Sequence, residues 1–173
     1  MGNKKEITVR LEVKELVFDI QNKTYLTGRS READNTKGYE AASHIQVSDD
    51  DENSYQIRRS ISNAFCNLKT ELAEYLDDDT TATDNLVKSE IDNDAALVIK
   101  FMMPSNYNQA AEDNLGAALH QYIVCRAIAD WYTITNKADA ADYAAMTEAA
   151  LEAARRAIYK RRRPSRPKID AQI

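Results

Sequence analysis

Residues 106–163 constrain this chain more than any other stretch, because they spell two long helices joined by a connection too short to let them part. A helix capped by Ser105 or Asn106 and running to about Thr135 carries Leu115, Leu119, Tyr122, Ile123, Cys125, Ile128, Trp131, Tyr132 and Ile134. These apolar positions cover more than one stripe of a 3.6-residue period, so neighbours on at least two sides must bury them. Asn136-Lys137 then turns the chain back into a second helix, about Asp139 to Arg162, which a short connection forces to lie antiparallel to the first. Its inner face is Tyr143, Met146/Thr147, Ala150/Leu151, Ala154 and Ile158, and its many alanines allow close approach from several sides. Pro164 and Pro167 prevent continuation, so the last residues are expected to be an extended arm.

Charge divides the chain at the same place. Net charge is −5, yet residues 155–173 hold eight Lys or Arg against one Asp, so that end carries +7 and the rest −12. An arm of one sign points to a partner of the other. Arg161, Arg162, Arg163, Arg166 and Lys168 have no interleaved acids to pair with locally. A phosphate backbone or an acidic protein surface is therefore the natural partner for Arg155, Arg156, Lys160 and this run.

Upstream, Ile57, Ile61, Ala64/Phe65, Leu68, Leu72 and Tyr75/Leu76 place one apolar stripe down a helix from Ser54 to Leu76. Asp49 to Asn53 supply cap oxygens and negative charge at its favourable end, and the Asp77 to Asp79 run stops it. Leu86, Val87 and Ile91, then Ala96 to Met103, flank Asp92-Asn93-Asp94 and read as a β-hairpin ended by Pro104. Ile7, Val9, Leu11 and Val13 alternate with polar residues as in a half-buried strand, followed by a helix or second strand, and residues 29–43 read as a loop or mobile arm.

The expected fold is mainly α (α+β): an antiparallel helical bundle of three long helices with a β-hairpin and extended N- and C-terminal arms. Residues 1–50 form the first arm, 51–163 the bundle with the hairpin inserted at about 85–103, and 164–173 the basic tail. Four glycines and three prolines are too few for the turns of a sandwich or for Gly-rich phosphate loops. Residues 1–10 hold no apolar leader core, and no apolar run approaches the ~18 residues of a membrane span. A soluble chain made in a cytoplasm is expected, with Cys66 and Cys125 reduced and packed as small apolar groups.

Catalytic chemistry finds no constellation here. His44 and His120 belong to no metal-ligand spacing, and no serine sits in a nucleophile elbow. The clusters Asp49–Glu52, Asp77–Asp79 and Asp92/Asp94 could offer oxygens to Mg²⁺ or Ca²⁺, but each lies where a cap or turn is expected and none has an EF-hand's glycine and spacing. No enzyme, cofactor or metal is expected. The aromatic group Tyr122, Trp131, Tyr132 and Tyr143 has core spacing, and Tyr122, Ile128, Trp131 and Tyr132 are candidates for a subunit interface.

The capped helix Tyr55–Leu76, the helix ending Ala127-Ile128-Ala129-Asp130-Trp131-Tyr132 and the basic-ended helix Tyr143–Arg163 together resemble the small, mainly helical head-to-tail connector (adaptor) proteins of tailed bacteriophages. The first 50 residues do not follow that pattern. The resemblance implies a homo-oligomeric, dodecameric ring beneath the portal, in the neck of a virion assembled in the host cytoplasm. It also implies terminal segments docking on the portal and other neck or tail proteins, and a channel through which DNA passes. An acidic body suits that channel, since DNA would slide rather than stick. On this reading the basic tail is a docking arm for an acidic neighbour, with DNA contact second. The other functional class the residues allow is a small nucleic-acid-binding accessory protein using the same tail; nothing favours a metal-dependent hydrolase.

Overall fold

The computed structural model describes residues 4–32, 43–48, 51–77, 92 and 94–164. Strand β1 (Lys5–Glu12) leads without a loop into helix α1 (Val13–Glu32). Helix α2 (Asp51–Glu71) and a 3₁₀ turn at Ala73–Tyr75 follow, then strand β2 (Ala96–Met103), a 3₁₀ turn at Gln109–Ala111, and helices α3 (Glu112–Thr135) and α4 (Lys137–Ile158). The chain is mainly helical, with a small antiparallel sheet of two strands among the described residues.

The sheet joins two parts of the chain that the sequence keeps far apart. β1 pairs with β2 from Lys5↔Met103 to Glu12↔Ala96, and the backbone N–H of Val13 extends the ladder to the carbonyl of Ala95 at 3.0 Å. Alternation decides the faces: Ile7, Val9 and Leu11 meet Leu97, Ile99, Phe101 and Met103 in the core, while Lys100 and Glu6 pair at 3.3 Å outside. Leu76 bridges to Phe101 on the far edge of β2. β2 takes β1 as its partner, and the proposed first hairpin strand, 86–91, lies outside the described residues. Asp92 still makes the expected turn, its carboxylate accepting from the N–H of Asp94 at 3.4 Å and its carbonyl from the N–H of Ala95 at 3.0 Å.

Residues 5–32 are no arm. Val13, Leu16, Ile20 and Thr24 line one face of α1 at steps of three and four and are fully buried, so α1 is a long core helix where an arm was expected. Thr24 occupies that stripe because its hydroxyl is satisfied twice: it donates to the carbonyl of Ile20 at 2.9 Å and accepts from the N–H of Val47 at 3.3 Å. The Trp131 indole N–H donates to the carbonyl of Ile45 at 2.9 Å, so residues 43–48 are tied between α1 and α3.

α3 is the central element, packed against α4, α2, α1 and β1. It begins at a 3₁₀ turn capped by Asn108, whose side-chain oxygen accepts from the N–H of Ala110 at 3.2 Å, and not at Ser105 or Asn106. Gly116 in its second turn lies under β1, where an added Cβ would meet Cγ1 of Val9 at 3.9 Å, an ordinary contact. Gly116→Ala is therefore expected to raise stability by roughly 0.5–1 kcal/mol, the helix-propensity difference. Chemical denaturation checks this; a loss of stability would show that β1 sits closer than the contact implies.

A basic pole at the end of the helical pair

α4 stops at Ile158, four residues short of the expected end, because the following segment finds better partners than its own helix. Arg161 forms an antiparallel bridge with Tyr107. The N–H of Asn108 donates to the carbonyl of Lys160 at 3.1 Å, and the N–H of Arg162 to the carbonyl of Asn106 at 2.8 Å. The Tyr107 ring is fully buried beneath this bridge, and burial pushes its phenol up from the ordinary value. Arg161 Nη1 donates to the carbonyl of Ile158 at 2.7 Å, which places a cation on the negative end of the helix dipole.

The expected partner-binding cations divide accordingly. Arg155 is engaged by Glu71 at 2.7 Å and Glu152 at 3.0 Å, and the Glu152 hydrogen bond raises its pKa. Arg161 is committed to the helix end. Arg156, Lys160, Arg162 and Arg163 are exposed, with Arg162 reaching Gln109 Oε1 at 3.3 Å. Arg166 and Lys168 lie outside the described residues. Sequence reasoning missed Lys5, whose Nζ donates to the carbonyl of Tyr107 at 3.4 Å and so joins the same pole. Only the β1–β2 pairing brings it there.

The pairing of Tyr75, read from the sequence as part of an apolar stripe, with Tyr159 was also missed. Their hydroxyls lie 2.6 Å apart and their rings cross edge to face at 5.6 Å, with Tyr159 still half exposed. The shared hydrogen bond, then burial, pushes Tyr75 up from the usual 10 to about 12. A phenol whose folded pKa is raised stabilises the fold fully below pH 10 and loses that contribution as pH climbs toward 12. The melting temperature of the wild type is expected to fall more steeply across that window than that of Tyr75→Phe, and matching profiles would show that the pair does not couple to folding.

The candidate subunit-interface residues are elsewhere, and they face inward. Ile128 and Tyr132 are fully buried, Tyr122 is 5% exposed, and Trp131 is half-buried with its N–H spent on Ile45. Tyr132 packs edge to face on Tyr143 at 5.2 Å, and burial pushes the phenols of Tyr122 and Tyr143 up. Within one chain Tyr122, Ile128 and Tyr132 lie in the core and Trp131 packs against it, with α1, α2 and α4 all against α3.

Among the described residues, no group of three or more His, Cys, Asp or Glu is placed to hold a metal ion, and no helix is long and apolar enough to cross a membrane. His120 joins α3 to α1 through Asp19 at 2.9 Å, and His44 is exposed. Cys66 and Cys125 are free thiols; burial pushes that of Cys125 up. An open groove of about 360 Å³ beside α1 is lined by Phe18, Gln21, Asn22, Tyr25, Val47 and Ser48. Tyr25 and Ser48 are its hydroxyl groups, and no histidine, carboxylate, lysine or cysteine lines it to activate them. The class defined is a mainly helical α+β body with a basic pole. No protein family, curated protein or solved structure matches the chain.

Proposed function

We propose that this protein is a structural component of a phage virion neck, a head-to-tail connector that assembles as a homo-oligomeric ring beneath the portal, with DNA passing through its centre. The observation that carries the reading is how the body ends. An antiparallel helical pair delivers the chain to a bridge made by two backbone hydrogen bonds, which holds residues 160–162 against residues 106–108 just before the remaining cations of the sequence, Arg163, Arg166 and Lys168. Cations held by such a bridge lose less entropy on docking than cations on a frayed helix end. In this reading the protein is not an enzyme and uses no cofactor; its partners are copies of itself, the portal and the other neck or tail proteins.

The ring contacts then fall to exposed apolar side chains, among them Phe18, Tyr25 and Leu26 on the outer face of α1, Ile134 at the end of α3 and Met146 on α4. Heterologous contacts of this kind close into rings when the rotation between neighbours allows. Electron microscopy and light scattering on the purified protein, alone and mixed with the portal protein of its virus, test the proposal. A large symmetric ring is expected in at least one sample, whereas a strict monomer that ignores the portal overturns it.

A further inference from the structure

The two-stranded sheet is engaged on one edge and open on the other. Beyond β2, Leu76 bridges to Phe101, and the N–H of Asp77 donates to the carbonyl of Lys100 at 2.9 Å. β1 has β2 on one side, and among the described residues no strand or backbone hydrogen bond lies on the other. The ladder decides which groups face that open edge. The N–H of Val13 bonds to the carbonyl of Ala95, so in the register of β1 with β2 the odd residues of β1 spend their backbone groups on β2. The N–H and C=O groups of Glu6, Thr8 and Arg10 therefore point away from β2, into the open edge. Their side chains stand on the solvent face, where Lys4, Glu6, Thr8 and Arg10 are exposed and Glu12 is half-buried.

We infer that the open edge of β1 pairs with β1 of a second copy of this chain, antiparallel and about a twofold axis at Thr8, so that one sheet runs β2–β1–β1–β2 through both copies. The charge pattern selects this occupant and this register. Along the solvent face the row is Lys4, Glu6, Thr8, Arg10, Glu12, which reads plus, minus, neutral, plus, minus. Turned end for end about Thr8, it sets Lys4 opposite Glu12, Glu6 opposite Arg10 and Thr8 opposite itself, so every charge meets its opposite. Cross-strand pairs of opposite charge, and of threonine with threonine, stabilise a sheet, and like charges destabilise it. The other registers fail on that rule. An axis at Ile7 sets Lys4 against Arg10, one at Val9 sets Glu6 against Glu12, and one at Glu6 or Arg10 sets that residue against itself. Parallel in-register pairing opposes every charge with its like, and a slip of one residue brings the core face of one strand against the solvent face of the other. An edge guarded against pairing carries charges that repel a copy, such as a row of lysines, and not a row that complements itself. The backbone agrees: at this axis the residues that meet are Glu6 with Arg10 and Thr8 with Thr8, the same ones whose N–H and C=O groups face the open edge. Within one copy Glu6 pairs with Lys100 at 3.3 Å and Arg10 with Glu12 at 2.8 Å, and a carboxylate or a guanidinium takes more than one partner. This inference goes beyond the ring reading and does not rest on it, since a twofold contact is complete at two copies whereas a ring needs heterologous ones.

The test is sedimentation velocity on the full-length protein across a wide concentration range, with the melting temperature of each variant measured to show that it folds. The wild type is expected to pair. Arg10→Glu and Glu6→Arg each set like charges opposite one another at both symmetry-related places, and each alone is expected to dissociate on the order of tenfold more readily. Mixed together, these two variants regain opposite charges at both places, so the mixture is expected to pair as the wild type does. Thr8→Pro removes an N–H that faces the open edge and leaves the ladder with β2 its bonds, so it is expected to be a folded monomer. A wild type that stays monomeric at every concentration overturns the inference. So does pairing that survives Thr8→Pro in a folded protein, or a ring indifferent to all of these variants. Charge variants that each pair as the wild type does, or whose mixture pairs no better than its components, overturn the register and the inference with it; if Thr8→Pro does not fold, these charge variants decide the matter alone.

Discussion

A protein lacking residues 1–12 is expected to lose cooperative unfolding altogether. Ile7, Val9 and Leu11 of β1 are each 7% exposed or less. Full burial of such a side chain is worth ~1.5–3 kcal/mol, so the three together contribute roughly 5–9 kcal/mol. Whole domains are stable by only ~5–15 kcal/mol. The deletion also strips β2 of its ladder partner, and each native backbone hydrogen bond exchanged for water removes about 0.5–1.5 kcal/mol. The losses match or exceed the total. Calorimetry and near-ultraviolet circular dichroism read the result directly. A truncated protein that melts cooperatively within a few degrees of the full chain would mean that β1 is an accessory after all, as its place at the chain's beginning first suggests.

That first suggestion marks where the sequence stops being informative. α2, α3 and α4 are legible because their apolar stripes repeat at steps of three and four over five turns or more, and β1 and β2 because β-branched and apolar residues alternate or cluster. The partnership of the strands is not legible. Nothing local in Ile7-Thr8-Val9 says that it pairs with Lys100 and Ile99, whereas Asp92-Asn93-Asp94 offers a turn that argues for a nearby partner. α1 was obscured differently. Thr24 sits at a core position, and Phe18, Tyr25 and Leu26 sit outside, so the polar and apolar residues of this helix invert the pattern at four places. The Thr24 hydroxyl needs both the Ile20 carbonyl and the Val47 N–H to make its burial tolerable, and the second of these comes from a different element.

The same gap explains the reading of the basic end. A run of cations is visible in the sequence, but which of them are already occupied is not. Arg155 finds Glu71, a residue of α2, and Arg161 folds back on the carbonyl of Ile158. Both are withdrawn from any partner by contacts that only the folded chain creates. Lys5 is added by the same kind of contact. The basic pole is thus smaller in its C-terminal part than the sequence shows and larger in its N-terminal part.

Ile128→Ala separates the two meanings that an all-round apolar helix can have. Seen alone, α3 needs partners on more than one side, and either the same chain or a second subunit could supply them. With Ile128 fully buried in one chain, truncation leaves a cavity in the core and is expected to cost about 2–5 kcal/mol. For a chain of this size that lowers the melting temperature by roughly 2–4 °C per kcal/mol, about 10 °C for a mid-range loss. The loss should be the same at low and high protein concentration, and the assembly formed by the folded fraction should be unchanged. An interface residue behaves oppositely: its truncation weakens association, and the melting temperature then varies with concentration by mass action. Tyr132, fully buried and packed edge to face on Tyr143, belongs with Ile128 in this test. Phe18 and Leu26, 60% and 56% exposed on the outer face of α1, belong with the opposite class. If the proposed ring forms, alanine at those two positions should dissolve it with little change in the stability of the subunit, and alanine at Ile128 should do the reverse.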